Sequence, residues 1–134
     1  MVEQYRTSIG KSEKEIPAGM IDEDGQVIST AIKEIEEEVG KLNIIEKDLI
    51  YITEFHPSTG SCDEKISIYV AETNIDYDIL MNFKNKITGS KSENEFIKLD
   101  VVKFKDIPNY GIRAKIAYGG YLKKRFIENK NNCV

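Results

Sequence analysis

The feature that most constrains this chain is a helical repeat of apolar residues that closes in a crowd of carboxylates. Ile28, Ala31, Ile32, Ile35 and Val39 recur at helical spacing, so one face of a helix over 28–39 must be buried. Gly40 follows directly and predicts the helix end. The last turns carry Glu34, Glu36, Glu37 and Glu38. Negative charge is unfavourable there, because the macrodipole already places partial negative charge at a helix C-terminus. Glu34 and Glu38 share a face and repel, and Glu37 lies beside them. Lys33 offsets little, since Lys ahead of Glu is the weaker order. Each penalty is only about 0.3–1 kcal/mol, yet all point the same way. A bound cation would remove the conflict. Clustered carboxylates with a backbone carbonyl suit a hard ion, Mg2+ or Mn2+. From the helix alone, a solvated acidic face is an equally good account. Asp22-Glu23-Asp24-Gly25 lacks the alternating ligands of an EF-hand, which excludes that type of site.

The rest of the chain reads as short elements. Glu15 to Ile21 is a brief strand entering a tight loop, where Pro17 fixes one dihedral and Gly19 permits close backbone approach. Leu49–Phe55 and Lys65–Glu72 read as strands, the second from the alternation of Ile66, Ile68 and Val70 with polar neighbours. Phe96–Phe104 reads as a further strand, and Arg113–Phe126 as a helix weakened at Gly119-Gly120. Strands with a helix at each side predict an α/β or α+β layered domain.

A length of 134 residues allows one domain with a proper core. The expected division is a single domain over 1–128 and a flexible, Lys/Asn-rich tail over 129–134. A net charge of only −4 gives no footprint for nucleic acid or a membrane surface, and no apolar run is long enough to span a bilayer. Cys62 and Cys133 have no metal-ligand spacing, so they read as reduced thiols of a cytoplasmic protein.

Gly19, Glu34, Glu37, Glu38 and Gly40 together resemble the Nudix box, G-x5-E-x7-R-E-U-x-E-E-x-G-U with U apolar. Gln4-Tyr5-Arg6, Ile16-Pro17-Ala18-Gly19, Pro57 to Glu64, Glu93 to Ile97 leading into Val101-Val102, and Gly111-Ile112-Arg113 look like the ADP-ribose pyrophosphatase branch of that family. The likeness runs in order along nearly the whole chain. Gly25, Lys33 and Lys41 depart from the box, which has Glu, Arg and an apolar residue there. Weaker bracing of the loop and helix is therefore expected, with the metal-binding glutamates intact.

The resemblance implies a Nudix-type α/β/α sandwich with a mixed sheet, and a metal-dependent pyrophosphohydrolase acting on ADP-ribose or a related nucleoside diphosphate sugar. It implies that Glu34, Glu37, Glu38 and the Ala18 carbonyl hold Mg2+ or Mn2+, with Glu34 counted among the catalytic residues. The base that activates water falls on Glu93, with Glu95 as the alternative, in a closing loop that includes Ser90-Lys91-Ser92. Arg6 would grip the diphosphate, and Glu64 the terminal sugar hydroxyls. His56 reads as loop structure, and Phe55 and Tyr69 as packing residues. Members of this branch carry an N-terminal domain and one more core strand ahead of the Gln4-Tyr5-Arg6 match. The expectation is thus an N-terminally truncated form whose exposed first strand pairs with a second copy in a homodimer. The competing reading is a degenerate Nudix domain serving as a nucleotide-binding sensor or interaction module.

Overall fold

The computed structural model describes residues 1–21, 25–89 and 96–131. Its strands are β1 (Val2–Arg6), β2 (Lys11–Glu15), β3 (Leu49–Phe55), β4 (Ile66–Ala71), β5 (Ile87–Thr88) and β6 (Ile97–Leu99). Its helices are α1 (Val27–Glu34), continued by a π-helical turn over Ile35–Val39, then α2 (Tyr77–Phe83) and α3 (Ile112–Asn131). Short 3-10 segments at Glu46–Asp48 and Phe104–Asn109 link them. One sheet runs β2-β1-β6-β5, and β3 with β4 makes a second. This is the expected α+β Nudix layering. All ladders among the described residues are antiparallel, where a mixed sheet was expected.

Several boundaries differ from expectation for physical reasons. The strand anticipated over Glu15–Ile21 ends at Glu15 and begins at Lys11. Its sequence, Lys-Ser-Glu-Lys-Glu, has no apolar alternation because β2 is a sheet edge, where charge discourages pairing with other chains. β1 is flanked by β2 along its length and by β6 at Val2 and Glu3, so it is not an edge there. Among the described residues Gln4, Tyr5 and Arg6 keep one open side, so the exposed stretch on which a homodimer was expected is shorter than the whole strand. The strand anticipated over 96–104 narrows to Ile97–Leu99; Asp100 still exchanges main-chain bonds with Met1, the first residue of the chain, so the pairing stops where β1 has no further residue to offer. Helix α3 runs through Asn131, three residues into the segment expected as a tail.

The core of the larger sheet is Val2, Ile97 and Leu99, closed over by Val39 and Phe83. The apolar stripe of α1 and its π turn therefore covers this sheet through Val39. On the other side, α3 packs on β3 at Gly120. A Cβ there would lie 2.2 Å from Ile52 Cγ2, so only glycine allows the approach. What looks in sequence like a weak point in the helix is a packing contact.

Between α1, the second sheet and α3 lies an apolar cleft of about 430 Å3. All residues of β4 from Ile66 to Ala71 line it. Successive side chains of a strand point to opposite faces, so a cleft reached by all of them runs along the strand's edge. That edge is the one not paired with β3.

Candidate active site

The loop after β2 meets the acidic end of α1. Residues 16–21 take no regular structure, and Ile16, Pro17 and Ala18 line the apolar cleft together with Glu34. The Ala18 N–H donates to Glu38 Oε2 at 3.1 Å. Gly19 lies so close to Glu34 that a Cβ at position 19 would sit 1.8 Å from Oε1. Two of the crowded carboxylates thus converge on one two-residue stretch of backbone, Ala18-Gly19.

Glu34 ends the α-helical part, and the helix changes its winding directly after it, over the turn that carries Glu38. The Gly40 N–H reaches back five residues to the Ile35 carbonyl, at 3.0 Å, in place of the usual four. Such π turns recur at functional sites, since they widen the helix locally and re-aim side chains. Glu38 is buried, at 5% exposure, while Glu36 and Glu37 stay exposed. The Glu38 main chain is tied from the other side, where the Thr88 hydroxyl on β5 donates to its carbonyl. Sequence spacing on an ideal helix placed Glu37 beside Glu34. The π turn is what that spacing could not show.

A second charged cluster meets the same cleft through Arg113. Glu15, the last residue of β2, accepts from Arg6 Nε at 3.1 Å and also from Arg6 Nη2. Arg113, in the first turn of α3, pairs with its other oxygen at 2.9 Å. Burial acts to raise the Glu15 pKa, but the hydrogen bonds from Arg6 and Arg113 outweigh it and leave the carboxyl below its usual range. Neither Glu15 nor Arg113 stood out in sequence as a site residue. For Arg113 the available signal was its place in Gly111-Ile112-Arg113, one of the stretches that resemble the family; for Glu15 it was a charge directly ahead of Ile16-Pro17-Ala18.

A model of the NUDIX domain matches residues 1–118. The chain belongs to the Nudix family. Nudix hydrolase 14, chloroplastic, of Arabidopsis thaliana is 31% identical over 126 residues, covering 87% of this chain and 40% of that protein. The ADP-ribose pyrophosphatase of Bacillus subtilis (strain 168) is 38% identical over 72 residues, covering 54% of this chain. The methanol dehydrogenase activator of Bacillus methanolicus is 40% identical over 72 residues, with the same coverage. The chain spans about two-fifths of the length of these relatives, 40% of the first and 37% of the others.

In this Nudix chain the expected site residues fall into three sets. Ala18, Glu34 and Glu38 come together at the loop–helix junction. Glu37 is on the exposed side of the turn, and Arg6 is engaged with Glu15. Glu64 is exposed in the β3–β4 loop, where its carbonyl accepts from His56 Nδ1 at 3.0 Å, so His56 braces the loop as its sequence setting implied. Glu93 and Glu95 lie outside the described residues.

Among the described residues, no three His, Cys, Asp or Glu side chains are grouped to hold a metal ion. The donors at Ala18-Gly19 are nonetheless of the right kind. Two carboxylates beside a backbone peptide are oxygen donors that suit Mg2+ or Mn2+. Also among the described residues, no helix is long and apolar enough to cross a membrane.

Proposed function

We propose that this chain is a divalent-metal-dependent pyrophosphohydrolase that cleaves ADP-ribose or a related nucleoside diphosphate sugar to a nucleoside monophosphate and a sugar phosphate. The observation that carries the proposal is the convergence of Glu34 and Glu38 on the Ala18-Gly19 backbone. Its support from relatives is the Bacillus subtilis protein named ADP-ribose pyrophosphatase.

Glu34, Glu37, Glu38 and the Ala18 carbonyl would hold Mg2+ or Mn2+. When bound, the ion supplies charge neutralisation on the diphosphate and a more acidic water. Gly19 keeps the loop against Glu34, and the Ala18 N–H fixes one oxygen of Glu38. Arg6 brings a planar guanidinium suited to phosphate oxygens. Glu93, or Glu95 in its place, would take the proton of the attacking water. Glu64 would meet the sugar hydroxyls.

A second reading has an observation in its favour. Glu37 stands apart from Glu34 and Glu38, and Arg6 is already paired with Glu15, as in a worn domain that binds a nucleotide without cleaving it.

Release of AMP from ADP-ribose by the purified chain, with and without Mg2+, separates the two, alongside a panel of UDP- and GDP-sugars. Metal-dependent turnover that is lost in Glu38→Gln supports the hydrolase. No turnover on any of these substrates by wild type favours binding alone. Glu93→Gln should lose turnover, and an unchanged rate moves the base to Glu95.

A further inference from the structure

Glu15 immediately precedes Ile16-Pro17-Ala18, the segment that lines the cleft, and its carboxylate is shared by arginines from two other elements. Oε2 takes both donors of Arg6 from β1, and Oε1 takes Nη2 of Arg113 from α3. The side chains remain partly open to solvent, at 38% for Arg6, 25% for Arg113 and 19% for Glu15. Two positive charges around one negative charge leave the cluster with a net charge of +1. Each guanidinium carries five N–H donors, more than one carboxylate can satisfy between the pair.

Arg113 also lines the cleft itself, where Glu34 is the other charged lining residue. The wall therefore presents a carboxylate of the candidate metal site and a guanidinium together. A diphosphate held by metal also gains from a cationic partner, and Arg113 is the cation that lines the same cleft.

We propose that Arg113 and Arg6 form a two-guanidinium clamp for the substrate's diphosphate, with Glu15 as the positioning residue between them. The proposal rests on the pyrophosphohydrolase reading above. Carboxylate and phosphate offer a guanidinium the same pattern of paired acceptor oxygens. Arginines already ordered on Glu15 lose little freedom when a diphosphate takes up their remaining donors. Without Glu15, two adjacent guanidiniums would repel and swing apart.

The test uses the full chain with Mg2+, measuring kcat and KM for ADP-ribose. Calorimetric affinity for an α,β-methylene analogue of ADP-ribose gives a readout independent of turnover. Arg113→Gln is expected to raise KM and weaken analogue binding about tenfold to a hundredfold, with kcat changed far less. Arg113→Lys should recover part of the loss, since it restores charge without the fork. Glu15→Gln should raise KM by a smaller factor. Arg125→Gln, at the far end of α3 and paired with Glu72, should change neither value.

Unchanged KM and affinity in Arg113→Gln, with only a lower Tm, would overturn the clamp and leave a structural ion triad. If Arg113→Gln does not fold, unchanged KM and affinity in Arg113→Lys overturn it equally. If wild type turns over no nucleoside diphosphate sugar while Arg113→Gln still weakens analogue binding, the hydrolase reading fails and the clamp stands. A wild type that neither cleaves nor binds overturns both.

Discussion

Gly19 and Glu34 touch so closely that position 19 has no room for a side chain, the Cβ of any other residue falling 1.8 Å from the Glu34 carboxylate. The obstructing atoms are the far end of a flexible side chain, so Glu34 can swing away at small cost to the fold. Gly19→Ala should therefore separate stability from function. Tm is expected to stay within about 3 °C of wild type, while kcat falls at least about tenfold because Glu34 is displaced. Thermal melts and steady-state kinetics on one preparation check this. A large drop in Tm with normal kcat would contradict it.

The paired glycines of α3 should respond in opposite directions. Gly119 is exposed with nothing near its would-be Cβ, whereas Gly120 faces Ile52 Cγ2 at 2.2 Å. Gly119→Ala is expected to stabilise by about 0.5–1 kcal/mol through helix propensity. Gly120→Ala should destabilise by about 1–3 kcal/mol, because a β-branched side chain in a strand yields poorly. Denaturant midpoints of the two variants test the pair.

Thr88 reaches across from β5 to hold the Glu38 carbonyl in the π turn. Thr88→Val keeps the shape and removes the donor, leaving that carbonyl short of a partner at a cost of about 1–3 kcal/mol. Thr88→Ser should retain most of the stability. Amide hydrogen exchange over 35–40 is the sensitive measurement, with faster exchange expected in Thr88→Val alone.

Acid stability should depend on Glu15. Its folded pKa lies below the ordinary value, so its contribution is present at neutral pH. The contribution begins to fade near the ordinary glutamate value of about 4.3, and is lost as pH falls through the lower folded pKa. The Lys14–Asp100 pair, 2.5 Å apart, acts in the same direction at low pH, since its hydrogen bond depresses the Asp100 pKa. Glu15→Gln should be less stable at pH 7 by about 1–2 kcal/mol, with a shallower loss below pH 4.5. Equal slopes for both proteins in urea titrations across pH 3–7 would show that Glu15 plays no such part.

Much of this was legible beforehand because it is local. The stripe Ile28–Val39 with Gly40 gave the helix and its end, the alternation of Ile66, Ile68 and Val70 gave β4 to within a residue at each end, and Leu49–Phe55 was read as the strand that β3 is. The charged strand Lys11–Glu15 was not legible, since an edge strand needs no apolar face. Helix α2 was missed as well: at seven residues, Tyr77–Phe83 is too short for its spacing to register. At the site, the sequence marked Glu34, Glu37 and Glu38 through their mutual repulsion. It could not rank them.

What sequence alone determined is therefore the chemistry on offer: a helix carrying crowded carboxylates, a glycine-bearing loop ahead of it, and membership in a family read from motifs in order. The tertiary structure decided which of those groups meet. A π turn buries Glu38 and leaves Glu37 outside, Thr88 arrives from fifty residues away to fix the turn, and Glu15 gathers Arg6 and Arg113 from separate elements. Repulsion between neighbours on one helix is fixed by spacing along the chain. Convergence of residues from different elements depends on how layers pack, which spacing does not encode.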